Sequence, residues 1–488
     1  MIPSLPPLPF GLTPLDAVLF VPVVAMVLLA ILPGYRLGAA INVAACGLTC
    51  FASAGLLDSE RMRSDFFLID DFNIYLVLLT TFVAFTTSIF SATYIDHELE
   101  SGKLTPRFVR FYHALYQAML GAMNLALVAN NFGLLWVGVE VATLSTVMMV
   151  GIYRTPEALE AAWKYFILGS VGIALAFFGT ILIYLSAQDV LGQGLPAMAW
   201  DNVQKSASHL DPKLLSLAFV FLFVGYGTKV GIAPFHAWLP DAHAEGPTPI
   251  SAVLSGLLLN VALYALLRFK MILAGNAATL NVGLVMMGFG LVSLVFAALM
   301  LYRRRDIKRL FAYSSIEHMG IMTFAFGLGG PLANFAGLLH MTMHALTKSA
   351  IFFAVGHIAQ IKGTQRLADI RGLSVSNPGL AVGFALSVVA IAGLPPFGVF
   401  MSEFMLVSSS FVRQPWLAVV LVVGLLLAFG ALVIHLQRVL FGDPSPSVAA
   451  SRASYVPLFV HLALVLAAGL WLPEPVVRWF RAVAAQLG

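Results

Sequence analysis

Long apolar runs separated by short polar breaks set the pattern of the 488-residue chain. Crossing about 30 Å of hydrocarbon takes a helix of about 20 predominantly apolar residues. Runs of that kind begin near residues 14, 37, 72, 111, 131, 163, 214, 248, 280, 310, 333, 378, 415 and 454. Backbone amides cannot stay unpaired in lipid, so each run reads as a helix. The pattern predicts an all-α polytopic membrane protein with about 14 transmembrane helices. No positive charge and no cleavage site stand in the first fourteen residues, so the first run is expected to be an uncleaved span. The longest polar stretches, 58–71 and 186–212, are loop-sized, which predicts a single membrane domain over 1–488.

Two segments echo each other within that domain. Tyr153-Arg154 precedes "WKYFILGSVG", and Tyr302-Arg303 precedes "LFAYSSIEHMG". Further along, "GIAPFHAWLPD" and "GLPPFGVFMSE" share Gly-x-x-Pro-Phe, and each places an acid, Asp241 or Glu403, seven residues after the aligned Pro234 or Pro396. Both echoes keep the same order and spacing, which is a sign of duplication. Proline removes a backbone donor and clashes with the preceding turn, so Pro234 and the Pro395-Pro396 pair are predicted to break their helices. The region 380–412 is also too long for one straight span. Broken helices at corresponding places in two halves point to an ion or substrate path; plain proline kinks are the alternative.

Composition agrees with the pattern. Hydrophobic residues make up 60% of the chain and charged residues 10%, with a mean hydropathy of +0.92; an ordinary soluble domain has about 25% charged residues. The net charge of +4 does not signal nucleic acid, because Lys and Arg form no basic patch. With the N-terminus outside, 16 Lys and Arg fall in or beside inner loops and 9 on the outer side, which places both termini outside the cytoplasm. The two remaining cations, Lys229 and Lys348, lie inside spans. Cys46 and Cys50 read as packing residues, and no zinc spacing, phosphate loop, dinucleotide fingerprint or iron–sulfur cysteine set is present. No cofactor is therefore expected on this chain, and any redox chemistry belongs to a partner.

Four ionisable positions stand out by depth. Glu140 lies nine residues into the run from Asn131, about 14 Å at 1.5 Å per residue. Lys348 lies thirteen residues into the run from Phe335, Lys229 just ahead of the first break, and Glu403 just after the second. A charge at the bilayer centre costs at least about 2.5–3.5 kcal/mol, so such groups pair, line water or move ions. Taken singly, Glu140 could satisfy itself by a local hydrogen bond and Lys229 by snorkelling. Taken together, they read as a movable pair in which the carboxylate tunes the lysine and Pro234 opens the helix to water. In "LLHMTMHALTKSAIFF", His340, His344 and Lys348 recur every four residues and share one helix face. Zinc binding by the two histidines fits their spacing, but no third ligand is evident in the sequence.

"KVGIAPFHAWLPDAHAEGPTPISAVLSG", "DIKRLFAYSSIEHMG", "LLHMTMHALTKSAIFF" and "LPPFGVFMSEF" resemble the antiporter-like proton-translocating subunits shared by respiratory complex I, Mrp-type antiporters and energy-converting membrane hydrogenases. The resemblance spans roughly residues 110–440. It implies two inverted five-helix repeats, each with a discontinuous helix. Residues 1–110 then hold helices 1–3, 111–274 the first repeat, 275–441 the second and 442–488 the last helix. It also implies a central polar line: Glu140 as the fifth-helix glutamate, Lys229 as the seventh-helix lysine, His340, His344 and Lys348 on the eleventh-helix motif, and Glu403 at the twelfth-helix charged position. His236, just past Pro234, joins the candidate path. Asn260 departs from the pattern, standing where many complex I relatives place a lysine, so a proton must pass it by water or by His340 and His344. That departure and "SSIEHMG" make the chain similar to the hydrogenase-4 and formate hydrogenlyase type.

The resemblance implies a subunit that moves protons through two half-channels in the bacterial cytoplasmic membrane. Its expected partners are other membrane subunits, the lipid bilayer and a peripheral redox arm with iron–sulfur or nickel–iron centres. Three alternatives remain open on sequence: a Na⁺/H⁺ antiporter subunit of Mrp type, a membrane partner of an inorganic-carbon uptake complex, and a structural anchor with no part in transport.

Overall fold

The computed structural model describes residues 13–32, 34–448 and 453–488; residues 1–12, and with them most of the segment ahead of the first run, lie outside it. Among the described residues the named elements are all helices, and extended chain meets only in isolated bridges such as Arg63 with Leu68. Among the described residues, ten helices are long and apolar enough to cross a membrane, or eleven if Val456–Leu470 and Glu474–Gln486, bent by 82°, count as one span. The other expected runs take different forms for local reasons. The run near 111 becomes Tyr112–Val128, at 17 residues. The run near 310 becomes Ile307–Leu328, whose lysine, arginine, glutamate and histidine dilute its apolar character. The run near 378 divides into Pro378–Ile391 and Gly398–Arg413.

The chain packs as two compact units, Met1–Tyr226 with Tyr264–Leu280, and Gly227–Leu263 with Asn281–Gly488. In the first unit, small residues let helices approach closely. A Cβ at Gly138 would fall 2.8 Å from the Ala122 carbonyl, and one at Gly179 would fall 2.8 Å from the Ala218 carbonyl. Such contacts replace the hydrophobic drive that lipid removes. The fixed polar anchor of this unit is Arg268, which is 3% exposed and forks onto Asp70 at 2.8 and 2.9 Å. Its Nε donates to Tyr264 Oη at 2.8 Å, and that hydroxyl donates to the Leu127 carbonyl. Burial pushes the Asp70 carboxyl up, but the Arg268 charge and hydrogen bonds win and hold it below the usual carboxylate range. Asp70 also caps the helix Asp71–Glu100 by accepting from Asn73 N.

In the second unit, Val282–Leu301 and Ile307–Leu328 cross on two pairs of glycines seven residues apart. A Cβ at Gly290 would fall 2.7 Å from the Gly320 carbonyl, and one at Gly283 would fall 2.6 Å from the Gly327 carbonyl. Leu291, Leu294, Ile321, Phe324, Leu406 and Leu421 fill the core beside that crossing. The Ile307–Leu328 helix is thereby fixed along its length, which matters because it carries charged side chains at both its start and its middle. Asp306 caps it, accepting from Arg309 N at 2.9 Å.

Candidate functional site

The first helix break begins where Pro212–Val230 ends, with Lys229 in its last turn and 1% exposed. Gly231 takes φ +78°, where a Cβ would meet Leu239. Two polar contacts close the break: Ala233 N donates to Ser293 Oγ at 2.8 Å, and Trp238 Nε1 donates to the Thr228 carbonyl at 2.8 Å. Pro234 is exposed, and His236 is half-buried with its ring 4.8 Å from that of Phe296. Helix then resumes at Leu239–Glu245. The Arg309 guanidinium grips this short helix through Asp241 at 2.6 Å and Glu245 at 3.3 Å. Buried Lys308 donates to the carbonyls of Ala244 and Gly246 at its end.

Downstream, a π-helical turn at Leu254–Leu258 widens the backbone just ahead of Asn260. The Asn260 amide donates to the Gly256 carbonyl at 3.1 Å and reaches Met341 O at 3.4 Å, so the side chain is tied to backbone on two helices. Such turns often mark functional positions.

The centre of the second unit is a chain of hydrogen-bonded side chains. His340 Nε2 lies 2.9 Å from His318 Nδ1, and His340 Nδ1 lies 2.9 Å from Ser402 Oγ. One nitrogen of the first pair must carry the hydrogen and the other the lone pair. The His344 ring lies 5.5 Å from that of His318, and Lys348 Nζ donates to the Phe311 carbonyl at 3.0 Å. All five of these side chains, Ser402 included, are buried.

The second break follows Ile391. Gly393 takes φ +69°, Pro395 and Pro396 are exposed, and helix resumes at Gly398. A side chain at Gly393 would collide with the Glu403 carboxylate, so the glycine leaves the acid its space. Glu403 lines a cavity of about 250 Å³ together with Glu317, Gly393 and Leu426.

The residues singled out by sequence therefore divide. Glu140 sits half-buried on Phe132–Val150 in the first unit. Lys229, His236, Asn260, His340, His344, Lys348, Glu403 and the three prolines belong to the second. The structure gathers His340, His344, Lys348 and Glu403 around two residues that the sequence reading passed over, Glu317 and His318. Their signal was present: both lie in the middle of an apolar run, ten and eleven residues after Ile307, about 15 Å along the helix. His318, His340 and Glu403 also place donor atoms within 4.8 Å of one another, a set that includes His340 but not His344 of the two-histidine zinc alternative, and in it the His318 and His340 nitrogens are joined by a hydrogen bond.

Three comparisons bear on this geometry. The family model described as NADH:quinone oxidoreductase/Mrp antiporter, TM, matches residues 129–428. The hydrogenase-4 component F homolog of Methylacidiphilum infernorum is 58% identical, over 95% of this chain and 98% of its own. NADH-quinone oxidoreductase subunit N of Desulforudis audaxviator is 26% identical over 77% of this chain and 73% of its own. A chain of respiratory complex I from Thermus thermophilus shares the fold at a TM-score of 0.81, with 21% identity over 98% of this chain and 100% of its own.

Proposed function

The chain belongs to the NADH:quinone oxidoreductase/Mrp antiporter transmembrane family, and from that premise we propose that it moves protons across a bacterial cytoplasmic membrane as one subunit of a redox-driven complex. Electron transfer takes place in partner subunits, in a peripheral arm with iron–sulfur or nickel–iron centres, and both termini of this chain lie outside the cytoplasm. The path runs in two half-channels, each at a helix break. Lys229 serves the first and Glu403 the second.

The observation that carries the reading is the relay His318–His340–Ser402, with both links at 2.9 Å. An imidazole accepts a proton on one nitrogen and releases one from the other, so a hydrogen-bonded pair can pass charge without either ring leaving its place. Lys348 sets the electrostatics of that relay. A cation one turn from His344 disfavours a second charge on the imidazoles, so a proton enters when the lysine is neutral or has moved toward an acid. Ser402 hands the proton on by rotating its hydroxyl, and Glu403, the next residue, receives it at the second break. Asn260, tied to two carbonyls, carries no proton, and water or the histidines bridge past it.

The test is proton uptake by inverted vesicles holding the assembled complex, with a sodium ionophore present. His340→Gln keeps hydrogen-bonding reach but cannot be protonated at physiological pH. Uptake per redox turnover is expected to fall at least tenfold at matched assembly, and Lys229→Ala should do the same for the first half-channel. Wild-type uptake in both variants would mean that the ion passes elsewhere and that this chain is an anchor.

A further inference from the structure

We propose that the cavity at the second helix break holds one hydrated monovalent cation, hydronium or sodium, between Glu317 and Glu403. The inference rests on the proposed function and extends it to a residue outside the expected path.

Both carboxylates line a single cavity of about 250 Å³, with Ala392, Gly393 and Leu394 of the broken backbone contributing to its wall. That space has room for several waters. Glu317 is 3% exposed, and its Oε2 has no hydrogen-bond partner among the described residues. A buried carboxylate oxygen left without a partner is costly, and something that enters the cavity must meet it. The Glu403 carboxylate sits against Gly393, where φ is +69° and a Cβ would collide with it. No Lys or Arg makes an ion pair with either acid among the described residues; the cation whose charge acts on Glu317 is Lys348, which donates to the Phe311 carbonyl. Two carboxylates and a stretch of non-helical backbone supply the oxygen atoms of a cavity otherwise lined by apolar side chains such as Leu425 and Phe429, and oxygen is the ligand that hard cations take. The lining residue Leu426, midway along the span Pro415–Leu440, is 63% exposed, so the cavity opens at the lateral face of the chain, where lipid or a neighbouring subunit meets it. Hydronium and sodium share this chemistry, having the same charge and the same preference for oxygen.

The experiment uses inverted vesicles with the intact complex and compares wild type, Glu317→Gln, Glu317→Asp and His340→Gln at matched assembly. One arm measures acidification in sodium-free buffer. The other measures uptake of radioactive sodium with a proton ionophore present. Glu317→Gln is expected to lower uptake of the wild-type ion at least tenfold and to raise the concentration of that ion needed for half-maximal rate; Glu317→Asp should recover part of both. Uptake lost in the acidification arm alone assigns hydronium, and uptake lost in the sodium arm assigns sodium. If Glu317→Gln stays within twofold of wild type in both arms while His340→Gln is impaired, the cation site is overturned and the relay stands. If His340→Gln is unaffected and Glu317→Gln is impaired, the cavity stands and the relay falls. Wild-type behaviour in both variants overturns both.

Discussion

The two helix breaks of the second unit share a sequence motif and do opposite things with the acid that follows it. Both start with a glycine at positive φ, Gly231 at +78° and Gly393 at +69°, and both carry an acid seven residues after the aligned proline. At the first break that acid, Asp241, is neutralised by Arg309 at 2.6 Å, and the short helix bearing it is capped by Lys308. At the second, Glu403 faces a cavity shared with Glu317. The same backbone device has thus been locked in one place and left open in the other. A shared motif specifies the break, and the neighbours on Ile307–Leu328 specify its use: the first turn of that helix supplies cations to one break, and its middle supplies an acid and a histidine to the other.

The largest effect should come from removing the lock. Lys308→Met leaves the Ala244 and Gly246 carbonyls without their donor in a site where the lysine is 1% exposed. Each orphaned buried acceptor costs about 1–3 kcal/mol, so a loss of about 2–6 kcal/mol is expected for the two. Thermal unfolding of the detergent-solubilised complex, read by tryptophan fluorescence, would show it. An unchanged midpoint would mean that the first break does not depend on its clamp.

Next is a matched pair of glycine changes. Alanine at positive φ costs about 1–2 kcal/mol in either place. Gly231→Ala presses on the Leu239 side chain, whereas Gly393→Ala displaces the Glu403 carboxylate. Both should lower stability to a similar degree, but only Gly393→Ala should reduce ion uptake by a further tenfold. Equal transport in the two variants would remove the distinction between a locked and an open break.

The acids test the comparison directly. Glu403→Gln should reduce proton uptake at least tenfold, whereas Asp241→Asn should change it less than threefold once assembly is matched. The reverse order would make Asp241, and not Glu403, the acid that carries the ion.

How far this was legible in the sequence depends on what each residue signals locally. Proline and glycine act on their own backbone, so both breaks could be placed at residue level, and the i, i+4, i+8 series of His340, His344 and Lys348 follows from helix period alone. The span near 454 was less legible, because an apolar run says little about where a helix bends; the 82° turn before Glu474 leaves no mark in hydropathy. Glu317 and His318 were passed over because neither repeats along its own helix. Their meaning comes from what faces them, His340 at 2.9 Å and the Glu403 cavity, and that is a tertiary fact. Asp241 and Glu403 show the same limit: equal spacing from a proline cannot reveal that one acid meets an arginine and the other does not.

The smallest expected effect gives the finest test of the lock. Arg309 reaches Asp241 at 2.6 Å and Glu245 at 3.3 Å, with its own side chain 37% exposed and the acids 18% and 28% exposed. Partial exposure limits what these pairs contribute, to about 0.2–1 kcal/mol each. Arg309→Lys keeps the charge but replaces a planar fork with a point donor, which cannot hold both carboxylates in the same geometry. Stability should fall by less than about 1 kcal/mol, with no loss of the Lys308 contacts. If the Gly231–Trp238 segment is held mainly by that fork, Arg309→Lys should also speed hydrogen exchange of the amides at 239–245 while leaving those at 398–413 unchanged. Faster exchange in both segments would mean that the two breaks are mechanically linked through the helix between them, and the locked break would then be a lever and not a fixed support.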